Sequence, residues 1–289
     1  MLVAEGLVKT YGGHRALDGF DLEAAAGEVV GLVGRNGAGK TTFVEVVTGL
    51  VKPERGRVCV AGSDALARPR EARALLGVAP QELALYPSLT VREHLGLFGG
   101  LAGLRRAGLR HEVDALVEEL ALASVADRRA GLLSGGQRRR TQAACALIGG
   151  PPVLLLDEPT AGADPETRGA LLRSVAARAR AGAAVVYTTH YLAELDDLDA
   201  TLAVVDAGRV VVRGRRAELL AHLPSRVRVE FAALPGAGGG RPIEVVRSCF
   251  DPASTLAELL ASGGEPRAVD IERPTIEDLY ISLGARGGR

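Results

Sequence analysis

The chain has 289 residues, enough for one large α/β domain with a small appendage. Hydrophobic residues make up 47% of it, which excludes global disorder. Its formal net charge is zero, which argues against a nucleic-acid binder that relies on a basic surface, so no nucleic-acid partner is expected.

The three cysteines, Cys59, Cys145 and Cys249, lie far apart and have neither metal-ligand nor redox spacing. We expect them to be buried structural thiols. Together with the lack of a signal peptide, they indicate a reducing cytoplasm. No apolar run approaches the roughly 18 residues that span a bilayer, so a role at a membrane requires a partner.

Residues 2–33 predict antiparallel strands, and the apolar run at 29–33 predicts a strand that is buried on both faces of a parallel sheet. Tyr11 stands out because aromatic residues are only 3% of the chain. It is either a partly buried strand residue or a ring that stacks on a nucleotide base.

Residues 34–42 follow this run directly and fit the pattern G-x-x-x-x-G-K-[ST]. The glycines let backbone N–H groups surround an anion, and the helix predicted over 43–50 adds its positive N-terminal end. We expect Lys40 on the β- and γ-phosphates, the Thr41 hydroxyl on Mg²⁺, and Thr42 near the α-phosphate. The candidate phosphate-binding residues are Gly34, Arg35, Asn36, Gly37, Ala38, Gly39, Lys40, Thr41 and Thr42. A glycine-rich turn with a solvated lysine is the alternative, and the flanking strand and helix argue against it.

Two short strands are predicted next, at 57–61 and 75–78, and the second leads to Gln81. At 91–125 the apolar residues take helical spacing. This segment predicts an all-helical subdomain inserted in the α/β core.

A glycine-rich turn at 132–137 precedes a helix predicted over 138–148. Ser134 offers a hydroxyl, and Gly135 and Gly136 offer unobstructed N–H groups just before that helix. This combination predicts a second anion site.

Residues 153–156 are wholly apolar and end in Asp157 and Glu158. A buried strand presents its next residues at the carboxyl edge of the sheet, where α/β sites lie. One carboxylate there can hold Mg²⁺, and the other can take a proton from a water aimed at the γ-phosphate. Two acids that merely follow a strand are the alternative, which the phosphate loop upstream disfavours.

A helix is predicted over 171–181, followed by a strand over 183–189 that reaches His190. By itself, a histidine at a strand end is more often a packing residue than a catalytic one. Residues 202–205 and 210–212 then predict a hairpin around a short turn.

The C-terminal part is predicted as a small α+β appendage beside a composition break at 234–240. Its predicted strands are 226–231, 243–248 and 267–271, and its predicted helices are 253–261 and 275–283. We therefore expect a nucleotide-binding domain over 1–224, with its helical subdomain at about 85–145, and an accessory domain over 225–289.

Five separated motifs, in the same order, resemble those of ABC-type ATPases over residues 2 to about 215. They are the phosphate loop as Walker A, Gln81 as the glutamine loop, 133–137 as the LSGGQ signature, Asp157–Glu158 as Walker B with the catalytic glutamate, and His190 as the switch histidine. The resemblance implies an α/β fold: a P-loop NTPase core with a mostly parallel sheet flanked by helices. It also implies an N-terminal antiparallel β-subdomain and an inserted α-helical subdomain, beside the C-terminal α+β appendage.

The same resemblance implies ATP and Mg²⁺ as cofactors. Tyr11 would stack on adenine, and Gln81 would serve the metal and the attacking water together with Thr41 and Asp157. Glu158 would act as general base, and His190 would contact the γ-phosphate. Ser134, Gly135, Gly136 and Gln137 would close over the ATP of a second subunit, so that two chains, most simply two copies of this one, enclose two ATP molecules.

Residues 79–93 and 273–280 resemble segments of subunits that pair with separate exporter permeases for drugs, lipids or polysaccharides. This implies a cytoplasmic subunit, peripheral at the inner face of the membrane, in which residues 82–98 receive a coupling helix of the permease. A helix that packs only on its own domain is the alternative for this segment.

Three other functions stay open: the ATPase of an importer, a soluble ABC ATPase that acts on ribosomes or nucleic acid, and a regulator that barely hydrolyses ATP. The chain has one Walker A motif and no heptad run, which argues against the soluble class.

Two positions depart from the family pattern. Ala163 stands where the dimer-contacting loop usually has leucine, and this loss costs about 1–3 kcal/mol if the site is buried in a subunit contact. Arg35 replaces a common proline or serine. Neither change removes a catalytic group, so we expect an active site.

Overall fold

The computed structural model describes residues 1–232, 243–261 and 265–287, and the composition break predicted at 234–240 lies outside these ranges. The chain divides into two compact units, Met1–Gly214 and Arg215–Arg289. Within the described ranges, no helix combines the length and the apolarity that crossing a bilayer requires.

The strands that begin in the first unit are β1 (Leu2–Tyr11), β2 (His14–Ala24), β3 (Val29–Gly34), β4 (Arg55–Val60), β5 (Ser63–Asp64), β6 (Leu76–Ala79), β7 (Val153–Asp157), β8 (Ala184–Thr188), β9 (Thr201–Asp206) and β10 (Arg209–Arg215). Its helices are α1 (Lys40–Thr48), α2 (Pro69–Ala74), α3 (Val91–Leu101), α4 (Arg106–Glu119), α5 (Gly135–Leu147), α6 (Pro165–Arg180) and α7 (Leu192–Asp197).

A six-stranded sheet in the order β10-β9-β3-β8-β7-β6 forms the centre of this unit. β3 pairs in parallel with β8 and β9, and β7 pairs in parallel with β6 and β8. Every residue of β7 and β8 is buried, as expected for strands covered on both faces. The carboxyl ends of β3, β8, β7 and β6 therefore lie side by side along one edge of the sheet.

The antiparallel strands form a second sheet in the order β2-β1-β4-β5. Its apolar side chains share one hydrophobic core with α1 and the parallel sheet. Phe20 of β2 and Phe43 of α1, for example, stack with ring centroids 4.8 Å apart. This shared core fixes β1 and its terminal Tyr11 relative to the helix that follows the phosphate loop.

The inserted helices α3 and α5 both begin with a capping box. Thr90 and Glu93 form the box of α3, and Ser134 and Gln137 form that of α5. Each pair exchanges side-chain and backbone hydrogen bonds, which satisfy N–H groups that the first turn of a helix leaves open.

The second unit contains α8 (Arg216–Leu220), β11 (Ser225–Phe231), β12 (Ile243–Cys249), α9 (Pro252–Ala261), β13 (Pro266–Glu272) and α10 (Ile276–Gly287). The strands form an antiparallel sheet in the order β12-β11-β13. Val227, Val229 and Phe231 alternate with exposed or half-buried residues along β11 and pack with Leu259 of α9.

Some element bounds differ from those predicted. α6 begins at Pro165 rather than 171 because Asp164 caps it, accepting from the Thr167 N–H at 3.0 Å, and proline suits the first helical position. The second unit begins at Arg215 rather than 225 because α8 packs with α10. The short elements α2, β5, α7 and α8 were not predicted, since none spans two full helical turns or a strand of ordinary length.

The cysteines are only partly as expected. Cys145 is buried, and burial raises the pKa of its thiol to about 12. Cys59 and Cys249 are half-buried instead, because each lies on a strand at or near an exposed sheet surface.

Candidate nucleotide site

Four neighbouring parallel strands deliver the predicted site residues to one edge of the sheet. The phosphate loop follows β3, His190 follows β8, Asp157 and Glu158 end β7, and Gln81 follows β6. The register aligns these strand ends, since Thr188 of β8 pairs with both Leu32 and Asp157. The structure therefore brings together residues that are up to 156 positions apart in the sequence (from 34 to 190).

The phosphate loop is shaped by glycines that no other residue could replace without strain. Gly39 has φ = 112°, and a Cβ there would lie 2.5 Å from the carbonyl oxygen of Ala16. A Cβ at Gly34 would lie 2.7 Å from the Val205 carbonyl oxygen. Gly39 is also the N-cap of α1, and no side chain caps that helix. The first N–H groups of α1 are thus left for an anion.

Lys40 points back into this loop. Its Nζ donates to the Gly34 carbonyl at 2.6 Å and to the Arg35 carbonyl at 3.2 Å. Burial lowers the pKa of Lys40, and the charges of Asp157 and Glu158 oppose that shift. The ammonium group is therefore held by the loop and attracted by the two carboxylates, and Thr41 next to Lys40 is exposed.

Tyr11 ends β1 beside α1, with 44% of its surface exposed. Lys9 Nζ lies 5.2 Å from its ring centroid. Partial burial raises the pKa of Tyr11, as does the charge of Glu45, while a hydrogen bond with Thr42 opposes the rise. These neighbours place an accessible aromatic ring next to the last threonine of the phosphate loop.

Asp157 is a buried carboxylate held by Thr188, whose hydroxyl donates to its Oδ1. Burial is the main cause that raises the pKa of Asp157, and the charge of Glu158 adds to it. The Thr188 hydrogen bond and the charges of Lys40 and Arg139 oppose the rise. A buried carboxylate with this balance is one that a bound cation would stabilise.

Glu158 adopts a left-handed backbone conformation with φ = 49°, which is uncommon for a residue with a side chain. Its N–H donates to both the carbonyl and the hydroxyl oxygens of Thr188, each at 3.1 Å. The side chain reaches His190, whose Nε2 lies 2.7 Å from Glu158 Oε1. Adjacent strands thus present a carboxylate–imidazole pair at the edge that carries the phosphate loop.

Gln81 lies exposed beyond β6, and its backbone is held by α5. Arg139 donates to the Gln81 carbonyl oxygen. Gln142 donates to the Pro80 carbonyl at 2.5 Å and accepts from the Ala84 N–H at 2.7 Å. Sequence reasoning missed Arg139 and Gln142, because the backbone groups they hold lie about 60 positions earlier in the sequence.

The signature residues form the N-terminal end of α5. Ser134 Oγ accepts from the Gln137 N–H at 3.3 Å, and Gln137 Oε1 accepts from the Ser134 N–H at 2.9 Å. Gly135 is exposed, and a Cβ at Gly136 would lie 3.4 Å from the Gly162 carbonyl oxygen. In the described part of the chain, no hydrogen bond joins 134–137 to the phosphate loop at 34–42.

Comparison with known proteins agrees with this geometry. The model of the family described as ABC transporter matches residues 17–161. The daunorubicin resistance ATP-binding protein DrrA2 of Streptomyces coeruleorubidus is 39% identical over 97% of this chain and 94% of its own. The Nod factor export ATP-binding protein I of Cupriavidus metallidurans is 40% identical over 97% of this chain and 88% of its own.

Among solved structures, a dimeric ATP-binding cassette in a post-hydrolysis state, bound to ADP and Pi, superposes with a TM-score of 0.68. It is 25% identical in sequence, and the match covers 74% of this chain and 98% of that one. The fold, the clustering of the motifs at one edge of the sheet and the similarity to these relatives support the same assignment. The chain belongs to the ATP-binding subunits of ABC transporters and is an ABC-type ATPase.

Proposed function

We propose that two copies of this chain enclose two ATP molecules and hydrolyse them to drive a separate export permease. The observation that carries the proposal is the Glu158–His190 pair at 2.7 Å, which ends the strands beside the phosphate loop. A carboxylate and an imidazole in contact can take a proton from water and orient a phosphate at the same place.

We assign the binding of ATP to three groups of residues. Tyr11 provides an accessible ring for the adenine. The N–H groups of residues 35–39 and the start of α1 hold the phosphates, and Lys40 supplies a positive charge there. Since Lys40 already donates to the carbonyls of the loop, phosphate oxygens take over part of its hydrogen bonding when ATP binds.

For hydrolysis, we assign Glu158 as the general base. The water oxygen bonds to the γ-phosphorus, the bond from that phosphorus to the bridging oxygen breaks, and the water proton passes to the Glu158 carboxylate. ADP and phosphate are the products. His190 contacts both Glu158 and the γ-phosphate, and Gln81 orients the water from the end of the neighbouring strand.

The residues present fit a Mg²⁺ ion. Thr41, Asp157 and Gln81 offer hydroxyl, carboxylate and amide oxygens, which are the hard ligands that this ion prefers. The buried Asp157, whose pKa is raised, gains a positive neighbour in this way. When bound, the ion neutralises charge on the phosphate oxygens.

A second subunit explains the exposed signature at the start of α5. Ser134, Gly135 and Gly136 form an anion site with no hydrogen bond to the phosphate loop of their own chain in the described residues. A related cassette that is dimeric and bound to ADP and Pi supports a dimer of this chain, in which we propose that this site faces the nucleotide of the other copy.

The surface around residues 82–98 is our candidate for the permease contact. Leu83, Tyr86 and Leu97 are exposed there to 38%, 57% and 41%. Exposed apolar side chains beside the glutamine loop suit a helix of a membrane partner. This contact would hold the chain at the cytoplasmic face of the membrane.

The names of the relatives support export, with a drug, antibiotic, lipid or polysaccharide as the class of cargo. One is a daunorubicin resistance protein and another a Nod factor export protein. We propose the same class of cargo for the permease of this chain, with the second unit, which begins at Arg215, as an accessory domain of unassigned task.

Glu158→Gln is the decisive experiment. We expect ATP binding to persist, phosphate release to fall by about 10²-fold or more, and dimers to accumulate with Mg-ATP in sedimentation velocity. Glu112→Gln is the matched control, because Glu112 accepts from the Gly149 N–H in the helical subdomain, away from the edge. Phosphate release at the wild-type rate in Glu158→Gln would remove the base assignment.

A further inference from the structure

Glu194 is a buried carboxylate that none of the roles above uses. It lies on α7, just beyond the switch histidine, and 1% of its surface is exposed. Burial of a charged carboxylate costs several kcal/mol unless donors surround it. The surroundings of this side chain therefore indicate what keeps it there.

Both oxygens of Glu194 are fully engaged. Oε1 accepts from the Thr160 hydroxyl at 2.7 Å. Oε2 accepts from the Thr189 hydroxyl at 2.7 Å and from the Tyr187 hydroxyl at 3.1 Å. Arg168 Nε lies 3.2 Å from Oε1, but its N–H is not aligned for a hydrogen bond, so this contact is an ion pair.

The donors belong to the two segments that carry the catalytic pair. Thr160 follows Glu158 by two residues, and Thr189 directly precedes His190. One carboxylate thus bridges the segment after β7 and the segment after β8, the two segments that carry Glu158 and His190, which lie 2.7 Å apart.

The bridge extends into the loop that departs from the family pattern. The Thr160 carbonyl accepts from the Ala163 N–H at 2.9 Å, and Asp164 then caps α6. Arg168, on the first turns of α6, returns to Glu194 and lies 4.6 Å over the Tyr191 ring. Thr160, before this loop, and Arg168, after it, therefore both contact the Glu194 carboxylate.

The donor roles of Tyr187 and Thr189 in this network are well defined. Burial, together with the charge of Glu194, raises the pKa of Tyr187, so its hydroxyl stays a donor. Thr189 Oγ donates to Glu194 and accepts from the Tyr191 N–H at 2.9 Å, which fixes its rotamer. The carboxylate and its three hydroxyl donors are all hydrogen-bonded, and such a buried network is rigid, because none of these groups can move without losing a partner.

We infer that Glu194 is a positioning residue for hydrolysis, which sets the separation of Glu158 and His190 by bridging the two segments that carry them. The inference rests on the proposed roles of that pair. Misplacement of a catalytic group by about 1 Å can cost about 10²-fold in rate, so loss of the bridge acts on turnover. It leaves ATP binding intact, because Glu194 lies outside the phosphate loop.

The test uses Glu194→Gln, which keeps the shape of the side chain but replaces one of the two accepting oxygens with a donor NH₂ group. We expect kcat to fall about 10- to 100-fold while KM for ATP and the dissociation constant of ATP change less than about threefold. Thr160→Val and Thr189→Val each remove one hydroxyl that donates to Glu194, and they provide the same test if Glu194→Gln does not fold. Thr48→Val is the matched control, because its buried hydroxyl donates only to carbonyls of its own helix.

A double-mutant cycle separates positioning from general destabilisation. In a His190→Ala background, we expect Glu194→Gln to lower kcat by less than about threefold, because the residue it positions is gone. If the two losses multiply in full, or if KM rises with no loss of kcat, the inference is wrong.

The proposed function fails separately. Should Glu158→Gln hydrolyse ATP normally, the catalytic assignment falls, whatever Glu194→Gln does. If Glu158→Gln is inactive and Glu194→Gln turns over at the wild-type rate, only the inference about Glu194 falls.

Discussion

His190 Nε2 lies 2.7 Å from Glu158 Oε1, and the two residues end adjacent parallel strands. Glu158 holds this place in a left-handed conformation, with φ = 49°, that its two hydrogen bonds to Thr188 stabilise. Backbone strain of this kind, about 1–3 kcal/mol, persists where the surroundings over-determine the conformation. The pair is thus built by the strand ends and not only by attraction between the two side chains.

The first prediction removes the imidazole. In His190→Ala, we expect kcat for ATP hydrolysis to fall by about 10²-fold, because Glu158 loses its partner and the γ-phosphate loses a contact. The affinity for ATP should change little, because the phosphate loop is untouched. Phosphate release and calorimetric titration measure the two quantities. His222→Ala, in the second unit, is a control that should keep full turnover.

The second prediction concerns Gly39. In Gly39→Ala, the new Cβ would lie 2.5 Å from the Ala16 carbonyl oxygen on a backbone with φ = 112°, so the loop must shift and ATP binding should be lost. Gly182→Ala is the control: its φ is 105°, but a Cβ there meets nothing within 4 Å. We expect both variants to lose about 1–2 kcal/mol of stability, and only Gly39→Ala to lose ATP affinity in a titration.

Much of the site could be predicted from sequence because its chemistry is local. The glycine spacing before Lys40 predicts a phosphate loop, and the apolar run before Asp157 predicts a buried strand, each from only a few neighbouring residues. Parallel strands then bring such ends to one edge. The strands and helices of the α/β core and of the segment from β11 to α10 were predicted because apolar alternation and helical spacing are short-range signals.

The contacts between these motifs could not be predicted. Gln142 makes hydrogen bonds to the backbone at 80–84, about 60 positions earlier in the sequence. The sequence pattern of α5 does not indicate these contacts. The same applies to Thr188, whose partner Asp157 is set by strand register, and to Glu194 of α7, whose partner Thr160 lies 34 positions earlier in the sequence. The start of α6 was missed because its apolar periodicity begins later than its cap at Asp164.

A third prediction compares two capping boxes. Ser134→Ala and Thr90→Ala each remove a side chain that caps a helix, so each should cost about 1 kcal/mol of stability. Only Ser134→Ala should impair hydrolysis, because Ser134 also faces the second nucleotide in the proposed dimer. Thermal unfolding and ATPase assays at saturating ATP measure the two effects. Equal turnover in both variants would argue against a site shared between subunits.

The fourth prediction addresses the segment before α3. In Gln142→Leu, the Pro80 carbonyl and the Ala84 N–H lose their buried partner, which costs about 1–3 kcal/mol. Amide exchange at Ala84 should accelerate, and stimulation of the ATPase by a permease should weaken. Thr141→Val is the control on the same helix, because its hydroxyl donates to Gln137 and does not reach this segment. Unchanged exchange at Ala84 would show that α5 does not hold it.

The last prediction follows from the raised pKa of Asp157, whose main cause is burial. Because the folded state disfavours the ionised carboxyl, stability is lost as pH rises from the pKa of the unfolded state, ordinarily 3.8, through the raised pKa of the folded state. Asp157→Asn stays neutral, so the nucleotide-free variant should melt at a higher temperature than the wild type at pH 7. This difference in melting temperature should shrink towards pH 3.5, where the residue at 157 is mostly neutral in both proteins.

Mg-ATP should reverse the order of the two melting temperatures at pH 7, because the ionised carboxylate stabilises the bound cation and the amide does not. Calorimetry of both proteins, with and without Mg-ATP, tests each sign, and a wild type that is more stable without nucleotide at pH 7 would contradict the burial argument.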